Sequence, residues 1–237
     1  MTQSGRGARF SCSVWSPHRL TIASALLLIG TTAFIVIYLN IQNHNGLAAY
    51  DQPVLEWMIN HRSDSITTIM KLLTNTFSPI GITLMVIFTS GLIFYRTRQR
   101  WEPLILVGSL AFTYIISTAI KLITMNPRPP LSAAVPPPAI SFSFPSGHVI
   151  GIAVVILVAG YLLWSHTKNR RDMAIWISSF IIGVGIIGFS RVYLGYHWLT
   201  DVSASVALAI AIFGSILLIE PLERYTATRS STSSKNR

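Results

Sequence analysis

The chain has 237 residues, of which 51% are hydrophobic and only 11% are charged. A soluble domain of average composition has about a quarter of its residues charged, and the apolar residues here form long runs, so the composition predicts a membrane protein rather than an ordinary soluble one. The formal net charge of +10 does not indicate a nucleic-acid-binding protein, because the basic residues flank the apolar runs.

The first nineteen residues are polar and basic, and we expect residues 1–19 to form a cytoplasmic segment. This segment holds the single cysteine, Cys12, so no intrachain disulfide is possible. The apolar run at 20–40 is too long for the hydrophobic region of a secretory signal peptide, and no clear cleavage site follows it. We therefore predict an uncleaved first transmembrane helix.

Six apolar runs are long enough to cross a bilayer, which takes about twenty helical residues. They cover residues 20–40, 78–95, 103–125, 147–165, 173–190 and 198–219. Pro79 and Pro103 suit helix starts, where the missing N–H is not needed. The sequence thus predicts an all-α, polytopic membrane domain over 20–220, followed by a cytoplasmic, disordered Ser/Thr-rich tail over 221–237.

The segment 53–77 lies between the first two predicted spans and mixes apolar with charged residues. That pattern is typical of helices that lie at the membrane interface. Such helices could guide a lipid toward a site, or they could simply brace the bundle, and the sequence leaves both interpretations open.

Basic residues are distributed unequally between the two sides of the predicted bundle. One side carries thirteen of the eighteen, namely Arg6, Arg9, Arg19, Arg96, Arg98, Arg100, Lys168, Arg170, Arg171, Arg224, Arg229, Lys235 and Arg237. The other side carries Arg62, Lys71, Lys121, Arg128 and Arg191. The positive-inside rule makes the first side cytoplasmic, so both termini are expected inside.

Three polar stretches fall on the opposite, extracytoplasmic side: residues 121–129, 145–148 and 190–201. They place Lys121, Arg128 and Arg191 at or near the ends of predicted spans. A charge inside a span costs about 3 kcal/mol or more, which makes each one a functional hypothesis. Lys121 alone could instead extend its amine to the interface.

Each stretch contains residues suited to phosphate chemistry. The three cations could hold a phosphate, the arginines by forked donors. Ser146 lies at a helix N-cap position, and Gly147 allows close approach to the free N–H groups of the first turn.

His197 and Asp201 are four residues apart, so on a helix they would share a face. The carboxylate could then accept a hydrogen bond from one imidazole nitrogen and leave the other free to attack. Taken singly, Pro-Ser-Gly is an ordinary helix start, Gly147 and Gly151 could pack helices, and His197 with Asp201 could be a satisfied polar pair. The occurrence of all three stretches on the same side of the predicted bundle favours a catalytic site over these separate structural roles.

Together the stretches resemble the signature of the type 2 phosphatidic acid phosphatase superfamily, which also includes vanadium haloperoxidases. The pattern is Lys, six residues, Arg-Pro; then Pro-Ser-Gly-His; then Ser-Arg, five residues, His, three residues, Asp. It is met in full by Lys121, Arg128, Pro129, Pro145, Ser146, Gly147, His148, Ser190, Arg191, His197 and Asp201. The resemblance implies a six-helix bundle of the PAP2/haloperoxidase kind.

The resemblance also implies a mechanism. His197 would attack phosphorus to form a phosphohistidine, while Asp201 fixes its tautomer. Lys121, Arg128, Arg191, Ser146 and the Gly147 amide would hold the phosphoryl oxygens. His148 would protonate the leaving oxygen and then activate water. We expect no metal and no other cofactor, because among the acidic residues only Asp201 lies in the motifs.

The expected partners are membrane lipids and a lipid phosphate substrate, with no nucleic acid, and the oligomeric state is left open. Undecaprenyl diphosphate is the favoured substrate, with phosphatidylglycerophosphate, phosphatidate and diacylglycerol diphosphate as alternatives. A lipid phosphotransferase on the same scaffold and a non-enzymatic lipid-binding protein are the rival classes. Product analysis separates the first rival, and the paired histidines argue against the second.

Overall fold

A computed structural model describes residues 17–137 and 140–219, and every regular element in these residues is helical. The α-helices are α1 (Pro17–Asn43), α2 (Asp51–Asn60), α3 (Asp64–Thr76), α4 (Pro79–Thr97), α5 (Trp101–Thr124), α6 (Gly147–Thr167), α7 (Arg170–Tyr193) and α8 (Leu199–Ile219). Short 3-10 turns cover Gly46–Tyr50 and Leu131–Ala133. The predicted N-terminal segment before Pro17 and the tail after Ile219 lie outside the described residues.

Six of these helices are long and apolar enough to cross a membrane: α1, α4, α5, α6, α7 and α8. The prediction of an all-α, six-span membrane protein is therefore confirmed. Pro79 is the first residue of α4, where the Ser78 side chain accepts a hydrogen bond from the Gly81 amide at 3.1 Å. Pro103 is the third residue of α5 rather than its first, because the helix already begins at Trp101.

The segment 53–77 forms most of the two short helices α2 and α3. Ser63 caps α3 by accepting from the Ile66 amide at 3.4 Å. Helix α3 has an apolar exposed side with Ile66, Ile69 and Leu72, whereas Thr74 is buried on the other side. The segment is thus helical, and α3 carries the polar residue Thr74 on its buried side.

Helices α6 and α8 form the centre of the bundle and bury the largest share of their apolar residues. Helix α1 packs closely along α8 because glycines lie where the backbones meet. A Cβ atom on Gly30 would come within 2.5 Å of the Ala211 amide nitrogen, and one on Gly214 within 2.5 Å of the Leu27 nitrogen. Small residues that let backbones approach are a common means of helix association in membranes.

The bundle has two distinct ends. At one end Arg19 donates to the Leu217 carbonyl at 3.1 Å, and His166 pairs with Glu102 at 2.7 Å. This end therefore joins the starts of α1 and α5 to the ends of α8 and α6. The connections 125–146 and 194–198 lie at the opposite end, together with α2 and α3.

Candidate active site

The structure brings all three motif stretches together at this opposite end of the bundle. Lys121 belongs to the last turn of α5 and Arg128 to the connection that follows. Ser146, Gly147 and His148 form the start of α6. Arg191 lies in the last turn of α7, and His197 and Asp201 lie on either side of the start of α8.

His197 and Asp201 form a buried pair at the centre of the site. The His197 Nδ1 atom lies 3.1 Å from Asp201 Oδ2, and the two side chains are 2% and 0% exposed. His197 precedes α8, which begins at Leu199, so the two residues do not share a helical face as the spacing suggested. They meet because the chain turns into α8 with the Asp201 carboxylate at the helix start, where it also accepts from the Trp198 amide at 3.0 Å.

The Asp201 carboxylate is held on both oxygens. Oδ2 accepts from His197 and from the Trp198 amide, while Oδ1 accepts from the Ser143 hydroxyl at 3.3 Å. Each hydrogen bond to the ionised form stabilises it. In its ionised form the carboxylate can only accept hydrogen bonds, so it selects the His197 tautomer that carries its proton on Nδ1.

The other ring nitrogen of His197 therefore carries a lone pair and no proton. Its Nε2 accepts from Arg128 Nη1 at 3.2 Å. Burial, followed by the charges of Arg191, Arg128 and Lys121, lowers the pKa of His197 well below its ordinary value of 6.5. The imidazole is consequently neutral at neutral pH, which is the form that can act as a nucleophile.

Arg128 is fixed by backbone carbonyls from two different connections. Its Nε donates to the Ser141 carbonyl at 2.5 Å, and its Nη1 donates to the Tyr196 carbonyl at 2.5 Å. Nη2 donates to the Ser141 hydroxyl at 3.1 Å. Burial lowers the pKa of Arg128, while Asp201 opposes this shift. Arginine nevertheless stays protonated, so its charge is permanently present beside His197.

Lys121 reaches the same connection from the end of α5. Its Nζ donates to the Phe142 carbonyl at 2.9 Å and to the Ser143 carbonyl at 3.2 Å. The amine is therefore directed into the site and held beside the residue that supports Asp201. The interpretation of Lys121 as a residue that only extends to the interface does not fit these contacts.

Arg191 is almost completely buried, with 4% of its surface exposed. Its Nη1 donates to the Thr74 hydroxyl at 2.6 Å and lies 3.5 Å from His148 Nε2. The guanidinium carbon lies 4.6 Å from the centroid of the Tyr196 ring, a cation–π contact. Arg191 thus connects α3, α6 and α7.

The start of α6 provides further donors. Ser146 is the N-cap residue as expected, but its hydroxyl makes no capping bond and has no hydrogen-bond partner in the described part of the chain, although it is buried. The Ser146 amide instead donates to Ser205 Oγ at 2.8 Å. Gly147 follows, where helix geometry leaves backbone N–H groups unpaired. An anion at this position would satisfy both kinds of donor.

The charges at the site do not balance. Within residues 17–137 and 140–219, none of Lys121, Arg128 and Arg191 forms an ion pair with a carboxylate. Asp201 is the one carboxylate in the three motif stretches, and it pairs with His197. Buried charges are costly unless they are paired, so three clustered cations indicate a site for a multiply charged anion.

Comparison with known proteins agrees with this geometry. Residues 102–224, more than half of the chain, match the PAP2 superfamily model. The chain belongs to the PAP2 superfamily. The matched region includes all three motif stretches and excludes α1 to α4. As a member of this phosphatase family the protein is a lipid phosphatase, a hydrolase embedded in the membrane.

Two proteins of Bacillus subtilis (strain 168) are similar in sequence. Phosphatidylglycerophosphatase B is 28% identical over 172 residues, which cover 71% of this chain and 82% of that protein. Undecaprenyl-diphosphatase BcrC is 28% identical over 159 residues, which cover 65% of this chain and 75% of that protein. A crystal structure of a transmembrane PAP2-type phosphatidylglycerolphosphate phosphatase from Bacillus subtilis matches with a TM-score of 0.70 at 23% identity, covering 82% of this chain and 93% of that one.

Several residues at the site were not predicted from the sequence. Ser143 and Trp198 hold Asp201, Tyr196 covers Arg191, and Thr74 binds Arg191 from a helix outside the motif stretches. Trp198 and Tyr196 flank His197 and could have been suspected from their position. Nothing in the chain marks Thr74, which is 117 residues from Arg191.

Proposed function

We propose that this lipid phosphatase transfers the phosphoryl group of a lipid phosphomonoester or diphosphate first to His197 and then to water, at the extracytoplasmic face of the membrane. The observation that carries the proposal is the His197–Asp201 pair beside three cations that have no carboxylate partner among the residues that the structure describes. Binding alone needs the cations but not a buried, oriented imidazole.

In the first step a phosphate binds among Lys121, Arg128 and Arg191. Arg128 then donates to a phosphoryl oxygen instead of His197 Nε2, which frees the lone pair for in-line attack. The N–P bond forms as the bond from phosphorus to the leaving oxygen breaks. That oxygen takes a proton from His148, which carries one in the substrate complex because the bound phosphate anion offsets the charge of Arg191, 3.5 Å away. Asp201 stabilises the positive charge that develops on the His197 ring.

Charge on the phosphoryl oxygens is held by donors that are already in position. The cations, the Ser146 hydroxyl and the Gly147 amide fill this role, and such fixed donors avoid reorganisation as the reaction proceeds. In the second step His148, now neutral, takes a proton from water. The water oxygen attacks phosphorus, the N–P bond breaks, and inorganic phosphate and free His197 are released.

The names of the two relatives support two lipid substrates equally. One is phosphatidylglycerophosphate and the other is undecaprenyl diphosphate. The relatives therefore do not favour undecaprenyl diphosphate, the substrate preferred from the sequence, over phosphatidylglycerophosphate. Both present a terminal phosphate at the membrane surface, and the three cations suit either. Phosphatidate is the third candidate by the same chemistry.

Phosphate release by the purified protein tests the function. We expect free phosphate from at least one of phosphatidylglycerophosphate, undecaprenyl diphosphate and phosphatidate, with inhibition by vanadate. EDTA should not reduce the rate, because Asp201 is the one carboxylate in the cluster of motif residues. Phosphoryl transfer to a second lipid without free phosphate would make the protein a phosphotransferase. Lipid binding with no turnover of any lipid phosphate would contradict the proposal.

Cysteine labelling tests the face of the membrane. The support for an extracytoplasmic site is that the exposed arginines Arg96, Arg98, Arg170 and Arg171 lie at the end of the bundle opposite the site. With Cys12 replaced by serine, Ser132→Cys should react with an impermeant thiol reagent in intact cells, and Thr97→Cys only after lysis. The reverse pattern would place the site in the cytoplasm.

A further inference from the structure

Thr74 is a buried residue of α3 that lies against the site. It is 2% exposed, whereas its neighbours Asn75 and Thr76 are exposed. Helix α3 precedes the family-matched region, which begins at residue 102. Thr74 therefore comes from a part of the chain that the three motif stretches do not include.

The Thr74 hydroxyl contacts a proposed phosphate-binding residue directly. Its Oγ1 accepts from Arg191 Nη1 at 2.6 Å, and both residues are buried. The same Arg191 Nη1 atom lies 3.5 Å from His148 Nε2. Thr74 of α3 thus contacts the cation that neighbours the proposed general acid.

Helix α3 is fastened to the end of α7, two residues beyond Arg191. The Tyr193 hydroxyl accepts from the Ser63 amide at 2.9 Å and lies 3.3 Å from Thr67 Oγ1. Arg62, just before α3, donates from Nε to the Tyr193 carbonyl at 2.9 Å. These contacts fix the register of α3 against α7 and hence the place of Thr74.

The orientation of the Arg191 guanidinium depends on few contacts. The Thr74 bond is its shortest, the Tyr196 ring covers one face, and the buried Nε atom has no partner in residues 17–137 and 140–219. A long side chain with few restraints loses much rotamer freedom when it must hold one geometry. A fixed acceptor on a neighbouring helix reduces that loss when a phosphate binds.

We propose that Thr74 is a positioning residue of the active site, whose hydroxyl orients Arg191 toward the phosphoryl group. The interfacial helix α3 then forms one wall of the site rather than only bracing the bundle. This inference rests on the proposed function, because it assigns Arg191 to the phosphoryl oxygens.

Isosteric substitution tests the role of the hydroxyl. Thr74→Val keeps the side-chain shape and removes the acceptor, while Thr74→Ser keeps the acceptor. We expect Thr74→Val to weaken vanadate inhibition and to lower kcat/KM for p-nitrophenyl phosphate by roughly ten- to a hundredfold, the range for one hydrogen bond to a charged group. Thr74→Ser should stay close to the wild type. Thr68→Val is the matched control, because Thr68 is exposed on the same helix and its hydroxyl donates to the Asp64 carbonyl of the helix itself.

A double-mutant cycle separates positioning from a merely structural role. In an Arg191→Ala background, Thr74→Val should weaken vanadate inhibition little further, whereas independent structural damage would add its full effect. Should Thr74→Val fail to fold, Thr74→Ala poses the same question with a smaller side chain.

Three results would overturn the role of Thr74: wild-type vanadate affinity and kcat/KM in Thr74→Val, equal loss in Thr74→Ser and Thr74→Val, or full additivity with Arg191→Ala. A wild-type protein that hydrolyses neither p-nitrophenyl phosphate nor any lipid phosphate would instead contradict the proposed function itself. The two failures are therefore distinguishable.

Discussion

The two ends of the helix bundle both carry arginines, but they use them in different ways. At one end Arg96, Arg98 and Arg100 lie in or beside the short connection between α4 and α5, and all three are exposed. At the other end Arg128 is half-buried and donates to backbone carbonyls, and Arg191 is buried and donates to the Thr74 hydroxyl. Residue type alone does not distinguish the two groups.

The connections differ in the same way. The α6–α7 connection is only Lys168 and Asn169, both exposed. The α5–α6 connection runs over 125–146 and places Ser143 and Phe144 in fully buried positions. A buried connection must satisfy its backbone polar groups, and here the cations of the site act as donors to its carbonyls. The same bonds that hold the loop therefore hold the cations in position.

Replacement of the proposed nucleophile tests most directly whether catalysis depends on the buried end of the bundle. His197→Ala should abolish turnover of every substrate, because no phosphoenzyme can form on the remaining residues. His166→Ala is the control, since His166 is exposed at the opposite end. Phosphate release from lipid substrates and from p-nitrophenyl phosphate measures both variants. Substantial residual turnover in His197→Ala would assign the nucleophile to another group.

The second histidine should show a smaller loss that depends on the leaving group. General acids contribute about a hundred- to ten-thousand-fold, and most where the leaving oxygen is a basic alkoxide. His148→Ala should therefore lose far more phosphorylation rate on phosphatidate than on p-nitrophenyl phosphate. Rapid quench should show phosphoenzyme forming from the activated ester and then decaying slowly.

Equal losses on both substrates would remove the proton-donor role from His148. The residue would then be assigned to phosphate binding, together with its neighbour Arg191 at 3.5 Å.

Much of this arrangement could be predicted from the sequence, because it depends on local rules. Apolar runs of about twenty residues predicted the spans, and the position of three polar stretches on the same side of these spans predicted the polar cluster. The proximity of His197 and Asp201 was predicted for the wrong geometric reason. A helix start with a carboxylate at its third residue brings the pair together as effectively as a continuous helix.

What the sequence did not predict depends on contacts between distant segments. Thr74 and Arg191 are far apart in the chain, and a threonine on an amphipathic helix has many ordinary roles. Ser143 is similar, since its bond to Asp201 requires the α5–α6 connection to fold back under the start of α8. No spacing rule links such segments, so only the packed structure reveals them.

Conservative substitution of arginine sharpens the comparison between the two ends. Arg128→Lys keeps the charge but loses the fork that reaches Ser141, Tyr196 and His197 at once. We expect kcat/KM to fall by about ten- to a hundredfold, in line with the loss of a hydrogen bond to a charged group. Arg96→Lys, at the exposed end, should change kcat/KM by less than about twofold, as for most surface substitutions. Equal effects at both ends would mean that only net charge matters.

The smallest expected effect is a displaced titration. Because burial and neighbouring cations lower the pKa of His197, its neutral form should persist as pH falls below the ordinary value of 6.5. The sign follows from the charge: a lowered pKa for an imidazole means that protonation, and with it loss of the nucleophile, occurs only at lower pH. Nitrogen NMR of ¹⁵N-histidine-labelled protein in micelles should show the Nδ1-protonated neutral tautomer at pH 6.5. His197→Gln assigns the signal by its disappearance. Half-protonation of His197 at or above this pH would show that solvent reaches the ring. His197 would then not be buried in the way that distinguishes this end of the bundle from the exposed end.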